Sequence, residues 1–243
     1  MSDDTHERNI EAAAPIVGGA RREARAPRAA GVAGLLFAVL FVTALLLFRS
    51  TVGARHSVGE LQRLVATDDV GSVMAGIYLV PFAGVAFLWF MAVVRDRIGD
   101  REDRFMATAF LGSGLVFVAM LFAGTVAFAG PVIGKSFGVG GVPGADAIDL
   151  GRSMGYAFLF VFATKMAGVF TIVTSTIGLR IVRWPRWIAI YGYVSALVLV
   201  FSVTYFEMII ALFPLWVAVV SIYILLFVGR GGGSAPGERP RAT

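Results

Sequence analysis

The sequence contains no cysteine and only two histidines, which removes several kinds of chemistry at once. Without cysteine the chain has no disulfide, no thiolate metal site and no cysteine nucleophile. His6 and His56 lie outside the apolar stretches, and a zinc or haem site needs more ligands than these two residues supply. We therefore expect neither a cofactor nor a bound metal ion.

Charge is also scarce, and what charge there is occurs in clusters. Charged residues make up 15% of the chain, against about 25% in typical soluble proteins. Apolar residues make up 58%, and the mean hydropathy is +0.80. Only Lys135 and Lys165 are lysines among the 21 basic residues, which together with abundant alanine, glycine and valine suggests a GC-rich bacterial gene. Short charged runs separate long uncharged stretches, as a polytopic membrane protein requires.

Six of these stretches are long enough to cross a bilayer. About 20 helical residues cover a hydrocarbon core of about 30 Å. The apolar run 187–228 is twice that length and must turn once, at the polar break formed by Tyr205 and Glu207. We therefore predict an all-α, polytopic membrane bundle over residues 29–228. Its six transmembrane helices cover about 29–48, 71–94, 105–129, 153–179, 187–205 and 208–228.

The positive charges predict the orientation of this bundle, because cytoplasmic loops are enriched in lysine and arginine. If the N-terminus is cytoplasmic, six spans place fifteen basic residues on the cytoplasmic side and five on the other side, with Lys165 inside a span. The imbalance has the same sign at every loop. We therefore predict that both termini are cytoplasmic, in a bacterial cell membrane.

The two ends of the chain and the first apolar run need separate interpretations. Residues 1–28 lack apolar periodicity and residues 229–243 are rich in glycine, proline and arginine, so we predict two disordered cytoplasmic tails. A cleaved signal peptide is the alternative for the first run, since Val52–Ala54 loosely resembles a cleavage site. The run is longer than usual for a signal peptide and follows a long basic tail, which favours an uncleaved span.

Two local signals add detail outside and inside the spans. Ser57 and Glu60 have the spacing of a capping box, and apolar residues at helical spacing follow them. This pattern predicts a short amphipathic helix over residues 58–66 that lies on the outer membrane surface. Pro81 lies inside the second predicted span and should kink it, because proline removes a backbone donor.

One stretch matches the loose form of a phosphate-binding loop, from Ala129 to Ser136 with Gly134 and Lys135 at the expected spacing. The motif needs a strand before it and a helix after it, so that the helix N-terminus holds the phosphates. A membrane helix precedes this stretch, a glycine-rich segment follows it, and the charge count places it outside the cell. We therefore reject nucleotide binding.

Lys165 is the one charged residue predicted to lie deep inside a span. A charge there costs a few kcal/mol or more, so it should face the bundle interior or water. It borders small and polar residues that recur at intervals of three and four on the same helix, namely Thr164, Gly168, Thr171 and Ser175. Oxygen acceptors could come from three hydroxyl residues of neighbouring spans, Thr125, Ser202 and Thr204.

This candidate polar site has two interpretations. It could bind a substrate or ion, or carry a proton. Alternatively, the lysine could bond to hydroxyls and carbonyls and serve only to fix the packing. A coupled transporter would usually also have a carboxylate in the membrane, and the one candidate, Glu207, is predicted to lie at the outer end of span five.

Two stretches carry a resemblance to known proteins. The first runs from Tyr78 to Trp89 and leads into the charged loop after the second span. The second comprises Gly178-Leu-Arg, followed by Pro185-Arg-Trp187. Together they resemble multi-span bacterial membrane families that have no assigned activity, over about spans two to five. The resemblance implies a six-helix bundle and no catalytic residue.

No catalytic constellation is visible, so we do not expect an enzyme. The expected function is that of a non-enzymatic membrane component with a structural, regulatory or stress-associated role. The alternative is a small-solute or ion transporter or channel that uses the polar stripe around Lys165. We expect the partners to be the phospholipid bilayer and either a second copy of the chain or an unidentified membrane protein, and we expect no binding to nucleic acid.

Overall fold

The computed structural model describes residues 16–51, 57–98, 104–182, 184–202 and 207–228, and every regular element in these ranges is a helix. The α-helices are α1 (Ile16–Thr51), α2 (Val58–Ala66), α3 (Gly71–Ile98), α4 (Arg104–Ile133), α5 (Ala145–Tyr156), α6 (Thr164–Ile177), α7 (Arg186–Phe201) and α8 (Leu212–Tyr223). Wider π-helical turns occupy Ala157–Ala163, Gly178–Val182 and Ile224–Val228, and a 3-10 helix occupies Glu207–Ala211. The prediction of an all-α chain is confirmed.

Five helical segments in the described ranges are long and apolar enough to cross a membrane: Gly31–Ser50, Gly71–Arg95, Arg104–Ile133, Ala145–Arg180 and Met208–Phe227. Each overlaps one predicted span. The remaining prediction, 187–205, corresponds to α7, a shorter apolar helix of 16 residues that ends at Phe201. Residues 203–205 of that prediction lie outside the described residues. At about 1.5 Å per residue, α7 is roughly 24 Å long.

Helix α1 starts earlier than predicted, at Ile16, although disorder was expected as far as residue 28. Residues 16–28 are rich in alanine and arginine, which have high helix propensity. An apolar span that is already helical can also extend residue by residue without a second nucleation cost. The other residues of the two predicted tails, 1–15 and 229–243, lie outside the described residues.

The fourth span also starts earlier than predicted, at Ala145 instead of residue 153. Helix α4 continues through Pro131 to Ile133, so the connection shrinks from residues 130–152 to 134–144. Asp146 lies in the first turn of α5, where its charge suits the positive end of the helix dipole. The charged residues and glycine in 145–152 predicted a loop. A helix that extends beyond an apolar stretch can contain both kinds of residue.

The helices assemble around one large apolar core. Helix α1 packs along α3 and against α8, while α4 and α7 both pack against α6. Gly34 of α1 allows one of these close approaches, because its backbone faces the Phe90 ring of α3 and the Ser221 hydroxyl of α8. Helix α3 runs through Pro81 without interruption. Its predicted kink stays a prediction.

Phenylalanine rings occupy the centre of this core. Five of these fully buried rings come from five different helices, α1, α3, α4, α6 and α8: Phe37, Phe87, Phe117, Phe170 and Phe213. Neighbouring ring centroids lie 4.8 to 6.2 Å apart, a range in which aromatic pairs attract beyond their simple burial. We call these five rings the phenylalanine cluster. It fills the middle of the bundle with apolar side chains.

A second, smaller core lies beneath α2. The predicted helix over residues 58–66 and its capping box are confirmed, since Ser57 accepts from the Glu60 N–H and Glu60 accepts from the Ser57 N–H. Its apolar residues Leu61 and Val65 pack with Phe128 of α4 and Ile148 of α5. The apolar face of α2 is therefore covered by protein, whereas the sequence prediction assigned it to the membrane surface.

Candidate functional site

Lys165 lies near the start of α6, and its side chain reaches the end of the antiparallel helix α7. Its ammonium group donates to the carbonyl oxygens of Leu199, at 3.2 Å, and Ser202, at 2.7 Å. We predicted that hydroxyl groups would be its partners, and the structure gives backbone carbonyls in their place. A cation at this position is favourable, because the last carbonyls of a helix lack backbone donors and carry the negative end of its dipole.

The shape of α7 explains why a cap is needed there. Helix α7 ends at Phe201, and Ser202 takes an extended backbone conformation, with its N–H donating to the Val198 carbonyl. Within the described residues, α7 has no later turn whose N–H groups could satisfy its last carbonyls. Unsatisfied carbonyls cost several kcal/mol each where water is absent. A lysine from α6 satisfies two of them at a point where the chain leaves α7.

The four other predicted site residues lie in the same helix as Lys165, and all four are buried. The hydroxyls of Thr164 and Thr171 donate within their own helical segment, to the carbonyls of Leu159 and Ala167. Gly168 lies against Val200 and the Ala196 carbonyl of α7, so it allows α6 and α7 to approach closely. These three residues therefore serve helix packing in this structure.

The predicted acceptors from neighbouring spans do not meet Lys165 through their hydroxyls. The Thr125 hydroxyl donates to the Leu121 carbonyl of its own helix. Ser202 contributes its carbonyl to Lys165, while its hydroxyl points to the Leu199 carbonyl at 3.4 Å. Thr204 lies outside the described residues.

Ser175 differs from the other stripe residues. Its hydroxyl oxygen and the indole nitrogen of Trp216 are both buried, with no hydrogen-bond partner among the residues that the structure describes. Both atoms approach the backbone of Gly192 in α7: a Cβ added there would lie 2.0 Å from the Ser175 oxygen and 2.7 Å from the Trp216 nitrogen. Helices α6, α7 and α8 thus bring two unsatisfied polar atoms to one glycine.

Trp216 was not among the predicted site residues, although its position in the sequence indicated a role inside the bundle. Tryptophan in membrane proteins concentrates at the two interfaces, whereas Trp216 lies eight residues from the start of the predicted span 208–228. A tryptophan at that depth indicates an interior position. Its pairing with Gly192 and Ser175 depends on the rotation of three helices, which no single apolar run encodes.

Lys135 repeats the role of Lys165 at another helix end. Its ammonium group donates to the Val65 and Ala66 carbonyls at the end of α2, each at 3.1 Å, and lies 3.0 Å from an Asp68 carboxylate oxygen. Residues 134–138 form turns, and the next helix begins at Ala145. This geometry agrees with rejecting the phosphate-binding loop. Both lysines of the chain therefore cap the C-terminus of a helix.

The described ranges offer no other chemistry-bearing constellation. They contain no group of three or more histidine, cysteine, aspartate or glutamate side chains that could hold a metal ion. No protein-family profile matches the chain, and neither the curated proteins nor the solved structures include a significant match. Over its described residues the chain is all-helical, with several helices suited to crossing a membrane, and its resemblance to uncharacterised membrane families stays a prediction.

Replacing Lys165 with methionine should destabilise the protein by about 1–3 kcal/mol, because two carbonyls lose their donor in a poorly solvated setting. A lysine that had no such partners would make the same substitution neutral or stabilising. Thermal unfolding in detergent measures the effect, and hydrogen exchange at residues 198–202 locates it. Lys165→Arg is the control: it keeps the donors and should retain most of the stability. Equal stability of the methionine variant and the parent would contradict the capping role.

Proposed function

We propose that the chain is a six-span protein of a bacterial cell membrane, with both termini in the cytoplasm and a structural, regulatory or stress-associated role rather than a catalytic one. In this proposal α7 is the fifth span, although it is shorter than the others. The main support for a role other than transport is the phenylalanine cluster, because in the described part of the chain it fills the middle of the bundle with apolar rings. Lys165 supports it too, since its donors are engaged by α7.

Exposed aromatic and basic residues support the orientation. Trp89 and Trp187 are more than half exposed; the exposed Arg95 follows Trp89 by six residues in α3, and the exposed Arg186 directly precedes Trp187. Tryptophan is enriched where a membrane meets water, and arginine on the cytoplasmic side of it. The connections of α3 to α4 and of α6 to α7 fall at this same end if each span crosses the bilayer once.

Reporter fusions test the topology. Fusions after Leu179 and after Val228 should report a cytoplasmic location, and fusions within residues 134–144 should report the opposite side. The expected result follows from the fifteen-to-five imbalance of basic residues. Equal signals from fusions at residues 100 and 140 would contradict the six-span proposal.

A labelling experiment separates the non-transport proposal from its alternative. The chain has no native cysteine, so Ser175→Cys introduces one thiol beside the unpaired Trp216 nitrogen. In native membranes this thiol should not react with a water-soluble maleimide, whereas Ala66→Cys at the exposed end of α2 should react. If Ser175→Cys reacts from either side, water reaches this region and a small-solute transporter becomes the better proposal.

The transporter alternative has one observation in its favour. Ser175 and Trp216 present an oxygen and an N–H that lack partners within the described residues, and buried polar groups in membrane segments often mark substrate or ion pathways. Against it, the two atoms face the Gly192 backbone at close range rather than an open cavity. The labelling result decides between the two.

A further inference from the structure

The connection between α4 and α5 exposes large apolar side chains without any charge among them. From Ser136 to Ala145 the chain carries no charged residue. Within this stretch Phe137, Val139 and Val142 are 53%, 84% and 50% exposed. Apolar patches of this kind, when they lie outside a core, commonly mark an interaction surface or contact with a membrane. The question is which apolar partner covers them.

The first turn of this connection supplies acceptors for its own backbone N–H groups. The backbone N–H groups of Phe137, Gly138 and Val139 donate to carbonyls within the turn, those of Ile133, Lys135 and Gly134. A segment next to acyl chains must satisfy its own backbone groups, because lipid offers no partners. Gly138 makes the turn possible by adopting a positive φ of 68°.

Two charged residues flank the segment: Asp146 lies in the first turn of α5, and Lys135 is engaged by the end of α2. Lys135 immediately precedes the segment, yet its ammonium group is held against the end of α2 by Val65, Ala66 and Asp68. Gln62 of α2 likewise donates to the Pro143 carbonyl on the other side of the segment, at 3.2 Å. These contacts fix both ends of the connection to the protein. They leave its apolar side chains facing outward.

The exposed segment continues into the outward face of the two helices that it joins. Directly below it, α4 and α5 form an open apolar groove of about 660 Å³, whose rim includes Phe122, Val126, Leu150 and Met154. Val126 is 68% exposed and Leu150 is 62% exposed. Since α4 belongs to the helices apolar enough to cross a membrane, the exposed apolar side chains of the connection adjoin an exposed apolar face of α4.

We propose that residues 136–144 insert into the lipid leaflet at the C-terminal end of α4, with Phe137, Val139 and Val142 at the boundary between headgroups and acyl chains. The partner is thus the bilayer itself, and the segment is an interfacial anchor for the ends of α4 and α5. This inference rests on the proposed membrane insertion of α4. It adds that a connection between spans enters the leaflet instead of crossing the aqueous side.

Single cysteines test the proposal, since the chain has none of its own. A small environment-sensitive fluorophore is attached to Val139→Cys, to Leu115→Cys in the middle of α4, or to Ala66→Cys at the end of α2. Each labelled protein is reconstituted into vesicles of phosphatidylethanolamine and phosphatidylglycerol. Quenching is measured with aqueous iodide and with phospholipids that carry a spin label on the acyl chain.

At position 139 we expect strong quenching by lipids labelled near the headgroup and several-fold weaker quenching by iodide than at position 66. Position 115 should respond to lipids labelled deep in the chain. If position 115 responds and position 139 is quenched by iodide as strongly as position 66, the anchor is wrong and the membrane span stands. Protection of position 139 from both quenchers would assign the segment to a protein contact and also overturn the proposal. Failure at position 115 would overturn the proposed function itself.

Discussion

Replacing Phe87 with alanine should lower the free energy of unfolding by about 3–5 kcal/mol, the usual cost of removing a fully buried phenylalanine. Phe87 is fully buried, and its ring contacts those of Phe37, Phe117, Phe170 and Phe213 with centroids 4.9 to 5.5 Å apart. Its ring therefore contacts one ring from each of four other helices. Truncation leaves a cavity that rigid helices on all sides cannot easily fill.

Phe82 provides the matched control for this variant. It lies in the same helix, five residues earlier, and is 64% exposed on the outer face of the bundle. Phe82→Ala should change the stability by no more than about 0.5 kcal/mol, since it touches no buried feature. Unfolding of both variants in the same detergent gives the comparison. If Phe82→Ala costs as much as Phe87→Ala, the bundle is not organised around the phenylalanine cluster.

The contrast between these two residues shows what the sequence could not predict. Both phenylalanines lie in an apolar run that has no polar face, so periodicity gives no direction to the core. The existence of the helix was predictable, because about 20 uncharged residues can satisfy their backbone in lipid only as a helix. Its rotation is set by contacts with Phe37, Phe117 and Phe213, which lie far away in the sequence.

The ends of helices were likewise predictable only where the stabilising residues lie nearby in the sequence. The capping box at Ser57 and Glu60 was predictable, because both partners lie within one turn. The end of α7 at Phe201 was not, since the apolar run continues past it and the stabilising cation, Lys165, comes from another helix. The depth of Lys165 predicted that it needs partners. Any carbonyl could supply them, so their identity required the fold.

The predicted starting residues of α1 and α5 were wrong for a related reason. Residues 16–28 and 145–152 carry charge or glycine, and these features predicted disorder or a loop. Such residues are compatible with a helix that is already formed by its neighbouring apolar span. The apolar run therefore predicts where a helix must exist, and it underestimates how far that helix continues.

Replacing Gly151 with alanine should destabilise the protein by about 1–3 kcal/mol, the cost of overpacking a rigid contact. Gly151 lies where α5 crosses α4, and a Cβ added there would be 2.6 Å from the Pro131 ring and 2.7 Å from the Ala127 carbonyl oxygen. Neither neighbour can rotate away, since one is a proline ring and the other is helix backbone. The two helices would have to separate.

Pro131 makes this contact possible. It has no N–H, so the Ala127 carbonyl four residues earlier has no donor from that position of the helix. The Gly151 backbone approaches this carbonyl in the manner of other close membrane-helix crossings at small residues. In Pro131→Ala the ring is lost, and combining it with Gly151→Ala should restore part of the stability, because the two residues are in contact and their effects are not additive.

Gly112 of α4 provides a control in which the same substitution should raise the stability instead of lowering it. A Cβ at Gly112 would meet no atom within 4 Å, so Gly112→Ala should stabilise the helix by roughly 0.5–1 kcal/mol through its higher helix propensity. Thermal unfolding in detergent compares the two alanine variants, and hydrogen exchange in residues 145–156 shows whether α5 has loosened. Stabilisation by both substitutions would mean that α4 and α5 do not meet at Gly151. The groove below the 134–144 connection would then differ from the one described, because residues of the α4–α5 crossing, Pro131 and Gly151, line it.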